Sequence, residues 1–419
     1  MKYKKIKIGN YHVHLIKTDK FKTVTLKINL KRKVNKKEIT IRRLLLETIL
    51  QSSRKYPTNR ILEMESEDLY ALAINGKNYI SGSYDVISLT ETFLNEKYTE
   101  EGMNKRSIEF LLQILLSPNI KDNMFDMYSF DLAKRLLKDN INSFKEYPDS
   151  YSVKKMMEHF DKKSPIAYYN TGYIKDLKKI TSEDMVDYYK KIMKEDIVDV
   201  FVVGDLDEDF VKNIFAEEFS VGGSMTSESH FILNNKIRKK EQVIIEKEKL
   251  NQSKLVIGCN FDNITDFELR YVLNILCFIL GGSGDSMLFS EVREKHSLCY
   301  SISSTYNLTS GILIIKAGID AKNFEKTLEL IKQEIEKMKN GQFSDSDILK
   351  AQIIYKNSCA EITDSPDSII NTYLSHEYLN SDLLDEKVAK INSVTKKDVT
   401  QLINKMHLNT IYMLEGDLN

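Results

Sequence analysis

Alternating apolar and polar positions mark Tyr11 to Thr18, Phe21 to Leu30 and Tyr79 to Leu89 as strands. Longer stretches with apolar residues every three or four positions, Lys36 to Lys55, Lys105 to Leu116 and Phe125 to Asn142, predict helices. Past the middle of the chain the pattern returns. Gln242 to Lys247, Lys254 to Phe261, Cys299 to Tyr306 and Ile312 to Ile319 read as strands, and Asp266 to Leu280, Lys322 to Asn340 and Ser344 to Glu361 as helices. Strands joined by short connections and kept apart from helices predict an α+β fold, each half an antiparallel-rich sheet with helices packed on one side.

The two halves also end alike. Ile180-Thr-Ser-Glu-Asp-Met-Val leads through a helix to Asp199-Val-Phe-Val-Val-Gly-Asp-Leu206; Val394-Thr-Lys-Lys-Asp-Val-Thr leads through a helix to Thr410-Ile-Tyr-Met-Leu-Glu-Gly-Asp-Leu418. A weaker echo precedes each, Tyr147-Pro-Asp-Ser150 and Ser365-Pro-Asp-Ser368. Three landmarks in one order at nearly one offset predict an internal duplication into two homologous domains. We place them at 1–218 and 242–419, joined by a polar, glycine-bearing linker over 219–241.

At 419 residues the chain exceeds the size at which a single core stops growing. Lys+Arg and Asp+Glu are both 61, so no basic excess drives binding to nucleic acid or membrane. The longest apolar run, Tyr271 to Leu280, is broken by Asn274 and is far short of the roughly 20 residues a membrane span needs. The N-terminal charges have no apolar stretch behind them, so a cytoplasmic location is expected. Four scattered cysteines without a Cys-x-x-Cys pair read as buried thiols. His12-Val-His14 is the one close histidine pair and reads as a solvated strand face.

The stretch Phe278-Ile-Leu-Gly-Gly-Ser-Gly-Asp-Ser-Met-Leu-Phe-Ser-Glu-Val-Arg-Glu-Lys-His-Ser-Leu-Cys-Tyr300 carries the strongest signal. It resembles the second domain of the pitrilysin, insulysin and mitochondrial processing peptidase family, where a glycine-rich turn precedes Leu-Phe-x-x-x-Arg-Glu-Lys-x-x-Leu-x-Tyr. Lys316-Ala-Gly-Ile-Asp320, Tyr147-Pro-Asp and Val202-Val-Gly-Asp205 fit the same pattern, so the resemblance spans nearly the whole chain. It implies half of a clamshell peptidase. It also gives Gly281, Gly282 and Gly284 a place in substrate binding, rather than in a phosphate loop, whose Gly-Lys-Ser/Thr ending is missing.

In active members, the resemblance implies, His-x-x-Glu-His on the first long helix holds zinc on one helical face, and a glutamate on a later helix completes the ligand set. Placing Glu47 on the motif glutamate puts Leu44 and Thr48 at the histidine positions and Asn140 at the distal ligand. Leucine has no donor atom, and neutral oxygens suit this borderline-soft ion poorly. The chain is therefore expected to bind no metal, with Glu47 either a relic of the general base or a salt-bridge partner. Arg293 and Tyr300 match positions that contact substrate and the developing oxyanion; otherwise Arg293 pairs with an acid and Tyr300 caps a core strand.

The resulting expectation is a non-zinc subunit of a heterodimeric zinc metalloendopeptidase. It would act on unfolded peptides with a homologous zinc-binding partner whose His-x-x-Glu-His motif is intact, and receive peptide along an edge strand near Ala71 to Asn75. A non-enzymatic scaffold or peptide-binding protein of the same fold is the alternative. A stand-alone peptidase with a rebuilt metal site is the third.

Overall fold

In the computed structural model, which describes residues 1–223, 228–233 and 237–416, the alternating stretches assemble into two main sheets. The first contains β1 (Lys2–Ile8), β2 (Tyr11–Lys17), β3 (Thr23–Lys33), β4 (Ala73–Ser81), β5 (Tyr84–Leu94) and β8 (Ile197–Gly204) in the order β1-β2-β8-β3-β5-β4. A two-stranded hairpin, β6 (Ile120–Lys121) and β7 (Met124–Phe125), stands apart from it. All pairings in the large sheet are antiparallel except β2 with β8.

The second sheet contains β9 (Gln242–Glu248), β10 (Ser253–Phe261), β11 (Cys299–Asn307), β12 (Ile312–Ile319) and β13 (Met406–Gly416), in the order β11-β12-β10-β13-β9. Read from β9, this is the path β2-β8-β3-β5-β4 again, including the parallel pair, here β13 with β9. The duplication is thus visible in topology. It is visible in local chemistry too. Thr181 and Asp184 form a reciprocal capping box at one helix start, and Thr395 and Asp398 form its counterpart. The fold is α+β.

Each sheet buries one face beneath helices. In the first unit Leu44, Leu46, Phe110 and Met185 from the helices meet Leu26, Ile28, Leu89 and Val200 from the strands. In the second, Leu276, Ile331 and Leu402 meet Ile257, Ile315 and Ile411. Burial of these aliphatic side chains contributes roughly 1.5–3 kcal/mol each.

The opposite faces hold what local periodicity does not show. Residues 144–167 belong with the second compact unit, and 364–379 with the first. Both lie on the far side of the contiguous boundaries expected at 218 and 242. The helix Pro148–Phe160 packs Met156 and Phe160 against Val256, Ile314 and Tyr412. Gly258 permits this, because a Cβ there would stand 2.5 Å from the Met156 sulfur. The helix Pro366–Leu379 packs Ile369, Ile370 and Leu374 against Ile16, Phe201 and Val203. The echo Tyr147-Pro-Asp and Ser365-Pro-Asp marks the starts of these two helices, with proline in the first turn, where its missing N–H costs nothing.

Several expectations need correction. Tyr79 to Leu89 is two strands, β4 and β5, reversed at Gly82, whose φ is +56°. The first long helix is shorter than expected, Ile39–Ile49. Of the expected linker, 224–227 and 234–236 lie outside the described residues; Phe219 and His230 within it are buried. All four cysteines are buried free thiols. Among the described residues no helix is long and apolar enough to cross a membrane.

Candidate functional site

The Ile39–Ile49 helix buries Leu44 and Thr48, one turn apart, on its core face. Leu44 packs in the main apolar cluster, and the Thr48 hydroxyl donates to the Leu44 carbonyl at 2.8 Å. Asn140, on the Met127–Ser143 helix, is exposed. Zinc, the ion the resemblance implies for this helix, finds no imidazole or carboxylate at these three positions, so the residues do not fit it. Among the described residues no three His, Cys, Asp or Glu side chains gather in a way that could hold a metal. Glu47 pairs with Arg43 at 2.7 Å, one turn back along the helix. Arg42 is wholly buried, 2.7 Å from the Asp196 carboxylate, and donates to the Leu30 carbonyl; these contacts pin the helix to the sheet.

The Arg293 and Tyr300 region is built differently. The helix Phe289–Lys295 ends in a left-handed turn at Ser297 (φ +52°), with the Leu298 N–H bonded to the Val292 carbonyl and the Ser297 N–H to that of Arg293. The chain then enters β11, where the register against β12 slips between Cys299 and Ser301, leaving Tyr300 as the extra residue of a bulge. Bulges re-aim a side chain out of the ladder, and Tyr300 is 81 % exposed. The two devices bring Arg293 and Tyr300 to one pocket of about 290 Å³, shared with Gln252, Gly318 and Asp320. Arg293 lies over the Phe289 ring at 4.7 Å, and no described carboxylate pairs with it. A cation and a phenol on one open wall suit the recognition of an anionic oxygen.

The glycine-rich turn divides by role. Gly281 is buried, and a Cβ there would meet the Ser304 backbone nitrogen at 2.7 Å, so this glycine serves close packing against β11. Gly282 and Gly284 are exposed, and Gly284 has open space around it.

Sequence reasoning missed a polar assembly on the back of the first sheet. His14 is fully buried there instead of solvated, because the Pro366–Leu379 helix covers its strand face. Its Nε2 lies 3.6 Å from Asp199, and its Nδ1 is 2.8 Å from the Tyr3 hydroxyl, which donates to Glu377 at 2.7 Å. Lys31 pairs with Asp199 at 3.2 Å and sits 3.4 Å above the Tyr378 ring. Burial pushes the Asp199 carboxyl up, but the neighbouring His14 imidazole and the Lys31 charge outweigh it and hold it well below the usual carboxylate range. His230 is stacked between Tyr84 and Tyr378 with centroids at 4.3 and 4.8 Å, and burial, helped by the Lys31 charge, pushes its pKa down to about 3. The only local signal was the His-x-His alternation, which fixes a shared face but not what covers it.

Comparison with known proteins fits this geometry. The sequence model of the peptidase M16 inactive domain matches residues 179–355. Over 98 % of this chain and 97 % of the relative, the chain is 29 % identical to the "probable inactive metalloprotease YmfF" of Bacillus subtilis. It is 22 % identical to the "uncharacterized zinc protease YmxG" of the same organism, over 67 % of this chain and 69 % of that protein. The crystal structure of a conserved protein from Enterococcus faecalis superimposes with a TM-score of 0.92 at 26 % identity, covering 100 % of this chain and 99 % of that one. With the duplicated sheets and the Leu-Phe-x-x-x-Arg-Glu-Lys segment already in view, these matches make residues 179–355 similar to the peptidase M16 inactive domain and nearly the whole chain similar to YmfF.

Proposed function

We propose that this chain is the metal-free half of a two-chain peptidase, inert alone and active with a homologous subunit that carries an intact His-x-x-Glu-His motif. It shapes part of the chamber, holds unfolded peptide along the free edge of β4, and presents Arg293 and Tyr300 to the scissile carbonyl at the partner's zinc. One observation carries this reading. Leu44 and Thr48 are closed into the core, while Tyr300, on a bulge, stands open beside an Arg293 that has no described carboxylate partner.

Activation of water would fall to a zinc held by the partner's His-x-x-Glu-His motif, and no residue of this chain would take part in it. Arg293 and Tyr300 supply a cation and a hydroxyl donor to the oxygen that gains charge during attack. The name of the YmfF relative is equally compatible with a non-enzymatic scaffold. The exposed Arg293 and Tyr300 favour the catalytic partnership, since a scaffold has no use for an aromatic ring turned out of its strand.

The test is reconstitution. The chain mixed with a zinc-bearing homologue from the same cell should cleave an unfolded peptide that neither cleaves alone. An Arg293→Ala mixture that assembles and cleaves at the native rate overturns the assignment.

A further inference from the structure

We propose that the polar back of the first sheet forms a side-chain subsite selecting acidic residues, Asp or Glu, in a peptide paired with β4. The inference rests on the reading that peptide adds to this edge.

β4 ends the sheet and, among the described residues, pairs only with β5. Among the described residues, 73–80 make no backbone hydrogen bond outside that ladder. Its alternate residues Asn75, Lys77 and Tyr79 face a cleft of about 610 Å³ between the sheet and the Pro366–Leu379 helix. Behind them, Thr90 and Ser88 of β5 and Lys27 of β3 form the floor, and Asp367, Asn371 and Ser375 line the helix side. A strand added to β4 would place every second side chain at the mouth of this cleft, about 5 Å from its cross-strand neighbour on β4.

The charge balance chooses the guest. Lys27, at the deep end, is neutralised by Asp367 at 3.0 Å. Lys77, at the mouth, is exposed and has no described carboxylate partner; its ammonium lies 5.9 Å from the Tyr79 ring centroid. One positive charge therefore stands beside the edge, with hydroxyl and carboxamide groups around it. An apolar side chain would strip water from these groups without replacing its hydrogen bonds. A lysine would face Lys77, whereas a carboxylate pairs with it.

The experiment measures binding of the full chain to three fluorescent unfolded peptides that differ only at alternate positions, carrying Glu, Gln or Lys. The Glu peptide should bind more tightly than the Gln peptide by up to about fivefold, the upper end expected for one opposite-charge cross-strand pair. The Lys peptide should bind most weakly. Lys77→Arg should keep this order and Lys77→Glu should invert it. Equal binding of the Glu and Gln peptides, or an unchanged order in Lys77→Glu, overturns the subsite while leaving edge binding intact. If none of the three binds, the edge-strand reading fails and the subsite fails with it.

Discussion

The Thr48 hydroxyl donates to the Leu44 carbonyl across 2.8 Å, joining the two residues that the family resemblance sets at the histidine positions of the zinc motif. One side chain is committed to the core and the other to its own helix. Neither position offers an imidazole or a carboxylate, and both side chains are buried in the first unit.

That commitment has an energetic signature. Leu44→Ala should cost about 2–5 kcal/mol, as expected for a large-to-small change in a packed core. Asn140→Ala, at an exposed position, should change stability by less than about 0.5 kcal/mol. Urea unfolding of the two variants measures both.

At the open pocket the expectation reverses. Arg293→Ala and Tyr300→Phe should leave the unfolding midpoint of the isolated chain near its native value, because both side chains are exposed. In the reconstituted pair each should lower kcat on the order of 10²-fold, the usual loss on removing one oxyanion donor. Steady-state kinetics of the mixture, beside a pull-down that confirms assembly, separate the two effects.

The glycine turn yields a paired test. Gly281→Ala drives a methyl against the Ser304 backbone nitrogen and should cost about 1–3 kcal/mol. Gly284→Ala meets nothing within 4 Å and should be close to neutral. Thermal melts of the two variants decide it.

His230 gives the first unit a pH dependence. Its folded pKa, about 3, lies below the unfolded value of 6.5. Between these values the unfolded chain binds the proton and the folded chain does not, so stability falls as pH drops from 6.5 toward 3. The contribution approaches about 1.4 kcal/mol per pH unit within that window. His230→Phe, which retains stacking on Tyr84 and Tyr378, should flatten the slope between pH 6.5 and 4 in urea titrations. Asp199 acts lower: its depressed pKa stabilises the fold above about pH 4, a contribution lost on further acidification.

What was legible in the sequence was local or repeated. The threonine–aspartate pairs at 181/184 and 395/398 announced two equivalent helix starts, and both are capping boxes. The Leu-Phe-x-x-x-Arg-Glu-Lys segment located the pocket, though not the bulge that turns Tyr300 outward. What stayed hidden depends on contacts far apart in the chain. His14 is buried only because a helix beginning at Pro366 covers its strand. Alternation along β2 reports which residues share a face, and it is silent on whether that face meets water or a helix from the other repeat. The β4–β5 hairpin was missed for a different reason. A two-residue reversal at Gly82 interrupts the alternation too briefly to show against a continuous strand.

The most direct test of the central claim is peptide hydrolysis by the purified chain with no companion subunit, measured with and without a chelator. With no imidazole or carboxylate at 44, 48 and 140, the chain should show no chelator-sensitive cleavage and no stoichiometric zinc. Hydrolysis by the isolated chain that a chelator abolishes and zinc restores would contradict it.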